Sequence, residues 1–502
     1  MKNLKIYGRI LLPFIGLLGA SCASLPSECS YPSSYAVVVS ERTYAESAWK
    51  NVADTLCKKR NAALLIYRRD VEETLLSLRK IFPKYICFVV KPEDAGFKWT
   101  VRTHRMVRRL DNDPFADAIA GTITGRTPDD ALRLAEAAEP VTASTALISA
   151  GIGPERYKEA YFLSTGTRGL YGHKTPDGKI EKYISKSGNL APLFAGFLDQ
   201  LDPDAVITSA HASQYCLEMP FSRGAVVCRN GRLFILNRKK ALINYSTGQA
   251  EGEIASADPL VPIPQPKKPK LYFSVGNCLI GDIPNKDCMA LAFLGWGKGT
   301  QMIGYTTTTW FGMVGWGANT IWEQSGGLTP LNEAFFFSRQ NLLYKLQKKY
   351  PPLETAEFDY LNGINVKLLT EFIRKTLHAD KISRDAIGML WDRDVVAFYG
   401  DPALEIRLDK EFTFKPLCSV KLLSDSPGTY HMVIHAEKDI PGPSDATAPV
   451  SIFFPERLKN IKIIKGQIYK PVCTDNFILV ASPGPFRAGK DYEIVFTAEK
   501  IR

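Results

Sequence analysis

The sequence predicts an α/β protein: a mostly parallel sheet flanked by helices, followed by a C-terminal β-sandwich. Three observations carry this. The runs "YAVVVS", "AALLIY" and "YICFVV" are apolar throughout and alternate with helical stretches; strands apolar on both faces belong to a parallel sheet covered on both sides. The stretches between them keep one apolar stripe, as at Ala45, Ala48, Trp49, Val52, Ala53, Leu56 and Cys57. Beyond about Asp409 the pattern changes to short strands with turn residues between them and no helix, the signature of a β-sandwich.

The elements follow in order. After "YAVVVS", a helix and "AALLIY", Val71, Leu75, Leu78 and Ile81 mark a second helix, and "YICFVV" is the third strand. "ADAIAGTITG" is strand-like, and "RTPDDALRLAEAA" opens a helix with Thr127 as cap, Pro128 in its first turn and Asp130 completing a capping box. "PLFAGFLDQL" is a helix that feeds the strand "DAVITSAHASQ". "GAVVCRNGRLFILN" is a hairpin around Asn230-Gly231. "DPLVPIPQPKKPK", with five prolines, is a solvated connection that trypsin should cut at Lys267, Lys268 or Lys270. Then come the strand "KLYFSV", a short helix in "KDCMALAFL", the strand "QMIGY", two helices within 328–347 and 366–378, and the closing strand "VVAFYG". Residues 35–140 form an N-terminal α/β subdomain, 141–409 a second one and 410–502 the sandwich.

Residues 1–22 read as a signal: Lys2, Lys5 and Arg9 precede the short apolar run "ILLPFIGLL", too short to span a bilayer as a stable helix, and "GASC" ends it. This resembles a bacterial lipoprotein signal, with Cys22 lipidated; an ordinary secretory signal cut after Ser21 is the other reading. Either way the chain is exported, and the lipid would anchor it to a membrane of the cell envelope or cell surface. Residues 23–34 are a Ser/Pro tether. Of ten cysteines, nine remain after Cys22, an odd number that leaves at least one thiol unpaired in an oxidising compartment. Cys418 and Cys473 are candidates for a bridge. The net charge of +11 is dispersed, without a basic stripe interleaved with aromatics, so no nucleic-acid partner is expected. No Cys/His metal spacing appears, so no metal site and no cofactor is expected from the spacing.

Two residues stand in matching contexts. His211 follows "ITSA" and Cys278 follows "FSVGN", each at a turn of small residues after an apolar strand. Loops at the carboxyl ends of neighbouring parallel strands face one crevice. An imidazole beside a thiol is what a cysteine hydrolase needs. Of six histidines, His173 on "GLYGHK" is the rival base. A small-residue turn around a buried cysteine is the alternative for Cys278.

These features, with "GRTPDDALRLAE", "GNCLIGDI", "GYTTTTWFGMVGWG" and "FYGDPALEIRL", resemble gingipain-type cysteine peptidases of the caspase-like fold, over about Tyr35 to Leu408. The resemblance implies a caspase-like catalytic region, an Ig-like character for 410–502, peptide or protein substrates, and a cysteine endopeptidase with Cys278 as nucleophile and His211 as base. It implies an oxyanion hole from the amides of Cys278 and Ala212, and a primary pocket lined by Trp310 and Trp316. It also brings calcium into consideration. Where the family has Gly after its His, this chain has Ala212, and a positive φ there would be costly. Glu159 and Asp177 are acidic candidates for the pocket base. No third catalytic residue is assigned. A non-catalytic pseudopeptidase acting as a surface binding or adhesion protein is the alternative function.

Overall fold

The computed structural model describes residues 34–501 apart from 140, 238–258, 310, 360–364, 443 and 445. The signal, Cys22 and most of the tether lie outside the described residues. Twelve strands form one sheet, in the order Ala63–Tyr67, Tyr35–Ser40, Tyr85–Val89, Ile119–Ile123, Val396–Tyr399, Gly299–Tyr305, Lys270–Ser274, Ala205–Thr208, Thr145–Ser149, Glu159–Leu163, Leu170–Lys174, Ile180–Ile184. The first five are mutually parallel. So are the five from Gly299–Tyr305 to Glu159–Leu163. The two blocks meet antiparallel, with Met302 opposite Tyr399, and two antiparallel strands finish the far edge. The sheet therefore runs without a break from residues 35–140 into 141–409.

Why both faces are buried is visible residue by residue. Ala36 and Val38 enter one core while Tyr35, Val37 and Val39 enter the other; Ile86 and Phe88 oppose Cys87 and Val89; Ala205 and Ile207 oppose Val206. Side chains alternate across a strand, so a strand apolar at every position needs helices on both sides. Thr127 caps the helix Pro128–Glu136 with a capping box through Asp130. Asn230 and Gly231 both have positive φ, which joins Ala225–Arg229 to Arg232–Leu236 by the expected tight turn.

At the C-terminal end, Cys418–Ser426, Thr429–Ala436, Asp491–Lys500 and Leu458–Lys465 form one antiparallel sheet, and Val450–Phe453, Phe477–Val480 and Val472–Cys473 another. Met432, Ile434, Ile478, Val480, Ile494 and Phe496 share one core between them. Phe477 turns away from it and packs edge-on against Phe336 and Phe337 of the helix Leu331–Lys349. Cys418 and Cys473 are free thiols in different sheets.

The proline-rich connection differs from expectation. Lys270 is 1% exposed and its ammonium bonds Asp202 Oδ1 at 2.5 Å and the Pro203 carbonyl at 2.8 Å. The Asp202 carboxylate also receives the Lys267 and Lys268 amides. One buried carboxylate thus draws the segment onto the fold, and Leu260–Pro262 adds an edge strand beside Arg232–Leu236. Among the described residues no helix is long and apolar enough to cross a membrane.

Candidate active site

The strands Ala205–Thr208 and Lys270–Ser274 are adjacent and parallel, with Thr208 opposite Ser274. His211 and Cys278 follow those two carboxyl ends. Between them stands Asn277, fully buried: its Oδ1 accepts from Thr208 Oγ1 at 2.7 Å and its Nδ2 donates to the Ala210 carbonyl at 2.9 Å. The residue before Cys278 is thereby fastened to the residue before His211. The Val275 amide adds a bond to the Thr208 carbonyl, and Ser209 donates to Ser149 of the next strand. Asn277 is a site residue that the sequence reading passed over; a buried amide between Gly276 and a cysteine was its only signal.

Cys278 is half-buried, and its sulfur accepts the Thr309 amide at 3.2 Å. Leu279 has φ +57, a strained conformation for a branched side chain, held because its amide bonds Thr307 while Gly281 bonds Tyr305. The short helix expected after Cys278 is Met289–Leu294 with Cys288 at its N-cap, so no helix begins at Cys278 itself. The intervening turn zips along Gly299–Tyr305 instead. Burial holds six other thiols in their protonated form: Cys216 and Cys418 are pushed up to about 11, Cys288 and Cys473 to about 12, and Cys87 and Cys228 also upward.

His211 opens to solvent, yet desolvation lowers its pKa below the ordinary histidine value, against the pull of buried Glu218. Glu218 donates its amide to the His211 carbonyl at 2.9 Å. Ser213 donates likewise to Cys216, so the ladder bonds flank Ala212 and its own N–H points away from Leu217. Ala212 is not among the residues with positive φ, so alanine fits there without strain.

A cleft of about 530 Å³ opens beside His211, lined by Ser209, Ala210, Thr165, Arg168, Arg223 and residues 219–222. Phe221 and Ser222 at its lip both have positive φ. Arg168 and Arg223 converge on Gly188: a Cβ there would lie 3.1 Å from Arg168 Nε and 3.5 Å from Arg223 Cδ. Among the described residues no carboxylate lines the cleft. Cys278 adjoins it through Asn277 and is not part of its lining.

Trp316 lies in the helix Met313–Gln324 and not on a loop. It lines a different cavity, of about 260 Å³, with Met313, Ser338 and Leu342. Its ring nonetheless backs onto the strand ends, since a Cβ on Gly276 would stand 3.3 Å from Trp316 Nε1 and 2.8 Å from Ser209 Oγ. Trp310 lies outside the described residues. His173 belongs to the strand Leu170–Lys174, where it bonds Glu159 at 2.9 Å and stacks on Tyr161. Asp177 sits in the following turn, bonded to Thr175. The rival base and both acidic candidates are thus absent from the His211 cleft.

No protein-family model and no curated protein matches the chain. A solved structure described as "Structure of Protease" aligns over 94% of this chain and 98% of its own, at 9% identity and a TM-score of 0.37. At that score the likeness decides neither family nor chemistry.

Proposed function

We propose that the chain is a cysteine endopeptidase of the gingipain type, in which Cys278 attacks a peptide carbonyl and His211 is its base. The observation that carries this is the buried Asn277 side chain, which couples the two loops by two hydrogen bonds. A lowered pKa leaves the His211 imidazole neutral at pH 7 and able to accept the thiol proton. The Thr309 amide gives the sulfur a donor that supports a thiolate. Sulfur then bonds to the carbonyl carbon, and the amides of Ala212 and Cys278 receive the oxyanion. The imidazolium protonates the leaving amine, and water hydrolyses the acyl-enzyme. Glu218 acts as a positioning residue on His211. Arg168 and Arg223 make the cleft select an acidic side chain. The exported, Cys22-lipidated form and the Ig-like character of 410–502 belong to the same reading.

Iodoacetamide at pH 6 followed by peptide mapping tests it. Cys278 should be modified well before Cys288, and His211→Ala should slow that labelling. The same variant should lower kcat/KM on a peptide library by about 10²–10⁴-fold, the usual contribution of a general base. If Cys278 reacts no faster than Cys288, the thiol is not activated, and the non-catalytic binding protein becomes the better description.

A further inference from the structure

We infer a buried binding site for a small inorganic anion of the halide class, held by the guanidinium of Arg339 in the helix Leu331–Lys349. This helix is buried on most of its surface, so a charged residue at its middle has no route to water. Arg339 is 4% exposed, and its Nε and Nη2 have no hydrogen-bond partner among the described residues. Those two nitrogens form the side edge of the guanidinium, a fork whose two N–H groups can meet at a single acceptor. Arg60 and Arg393 use the same edge on one carboxylate oxygen each, Asp401 Oδ2 and Asp394 Oδ2.

Among the described residues, Asp394 is the one acid whose charge reaches Arg339, and its acceptor sites are already taken. Its Oδ1 accepts from Arg108 Nη1 at 2.5 Å. Its Oδ2 accepts from Arg393 Nε at 3.1 Å, Arg393 Nη2 at 3.0 Å and Arg108 Nη2 at 3.3 Å. A carboxylate offers about four lone-pair sites. Three buried guanidiniums thus answer to one buried carboxylate. Burial first, and then the charges of Arg108 and Arg393, lower the Arg339 pKa to about 9, so it stays charged at pH 7. A buried charge needs a partner of opposite sign, and a guanidinium does not escape by losing its proton. The Phe335 ring, 5.8 Å away, offers a cation–π contact and no acceptor for the two N–H groups. His104 packs on the same ring, and its Nε2 meets the Val396 carbonyl at 2.7 Å. Burial keeps that imidazole neutral, so it brings no negative charge. A monatomic anion meets the requirement in a sealed place, because it accepts N–H groups from any direction and has no second oxygen to satisfy. It would brace the helices Phe97–Val107 and Leu331–Lys349 against each other, independently of the peptidase reading.

The test uses the full chain prepared throughout in sodium gluconate, whose anion is too large for the site, with NaCl then exchanged in at constant ionic strength. Thermal unfolding should show Tm rising with chloride and levelling off. Arg339→Met keeps the length of the side chain without its charge and should lose that saturable response. Comparing the two proteins cancels the general effect of the salts. Crystals of the parent grown in NaBr supply a readout that needs no variant: an anomalous bromide peak within hydrogen-bond reach of Arg339 Nε and Nη2. The proposal is overturned if parent and variant respond alike to chloride, or if the crystals show no bromide there and a water bridges Arg339 to His104 instead.

Discussion

The Asn277 side-chain amide donates to the Ala210 carbonyl at 2.9 Å while accepting from Thr208 at 2.7 Å. Asn277→Ala leaves the buried Thr208 hydroxyl and the half-buried Ala210 carbonyl without this partner, at a cost of about 1–3 kcal/mol for the buried group and less for the other. Urea unfolding should register that loss. Labelling of Cys278 should slow as well, because the two loops lose their coupling. Unchanged stability and labelling would show the bonds to be incidental.

Among the described residues, the cleft beside His211 carries two arginines and no carboxylate. Peptidyl chloromethyl ketones with a terminal Asp or Glu should inactivate the protein faster than those with Arg or Lys. The double variant Arg168→Glu/Arg223→Glu should reverse that order, measured as second-order inactivation rates. Equal rates for acidic and basic reagents would remove the arginines from specificity without touching the roles of His211 and Cys278.

Asp401, fully buried, accepts from Tyr35 Oη at 2.8 Å, from Arg60 Nε at 2.8 Å and from the Ala403 amide at 3.0 Å. It ties the closing Gly-Asp-Pro turn to the first strand and helix. Removing one partner of a buried ion pair typically costs about 3–5 kcal/mol. Asp401→Ala should lower stability by that amount in denaturant titration, and Asp401→Asn by less.

Burial pushes the Asp392 carboxyl up to about 7, although Tyr305 Oη donates to it at 3.1 Å. The folded protein therefore holds a proton that the unfolded chain releases near its ordinary value of 3.8. Between those values the native state binds more protons, so Asp392 makes stability fall as pH rises from about 4 to about 7 and level off above. Asp392→Asn mimics the protonated form. It should flatten that part of the profile and be the more stable protein at pH 8, by urea unfolding at a series of pH values.

The sequence by itself determined the strands, most helices and the paired contexts of His211 and Cys278. These rest on local signals: apolar period, capping at Thr127, and turn residues such as Asn230-Gly231. Burial of every residue in Tyr35–Ser40 follows from a run that is apolar up to the serine at its end. Only the tertiary structure decided the rest. The antiparallel junction between Gly299–Tyr305 and Val396–Tyr399 is a choice between pairings that apolar strands permit equally. The helix carrying Trp316 was hidden because "MVGWGANTIWEQ" contains two glycines and is apolar on several faces, so no single stripe marks it. Lys270 reads as a solvating cation until the Asp202 carboxylate, far away in sequence, meets it. Asn277, Glu218, Arg168 and Arg223 gain their meaning in the same way. Hydrogen bonds and charge pairs depend on which loops a fold sets side by side, and sequence periodicity carries no record of that.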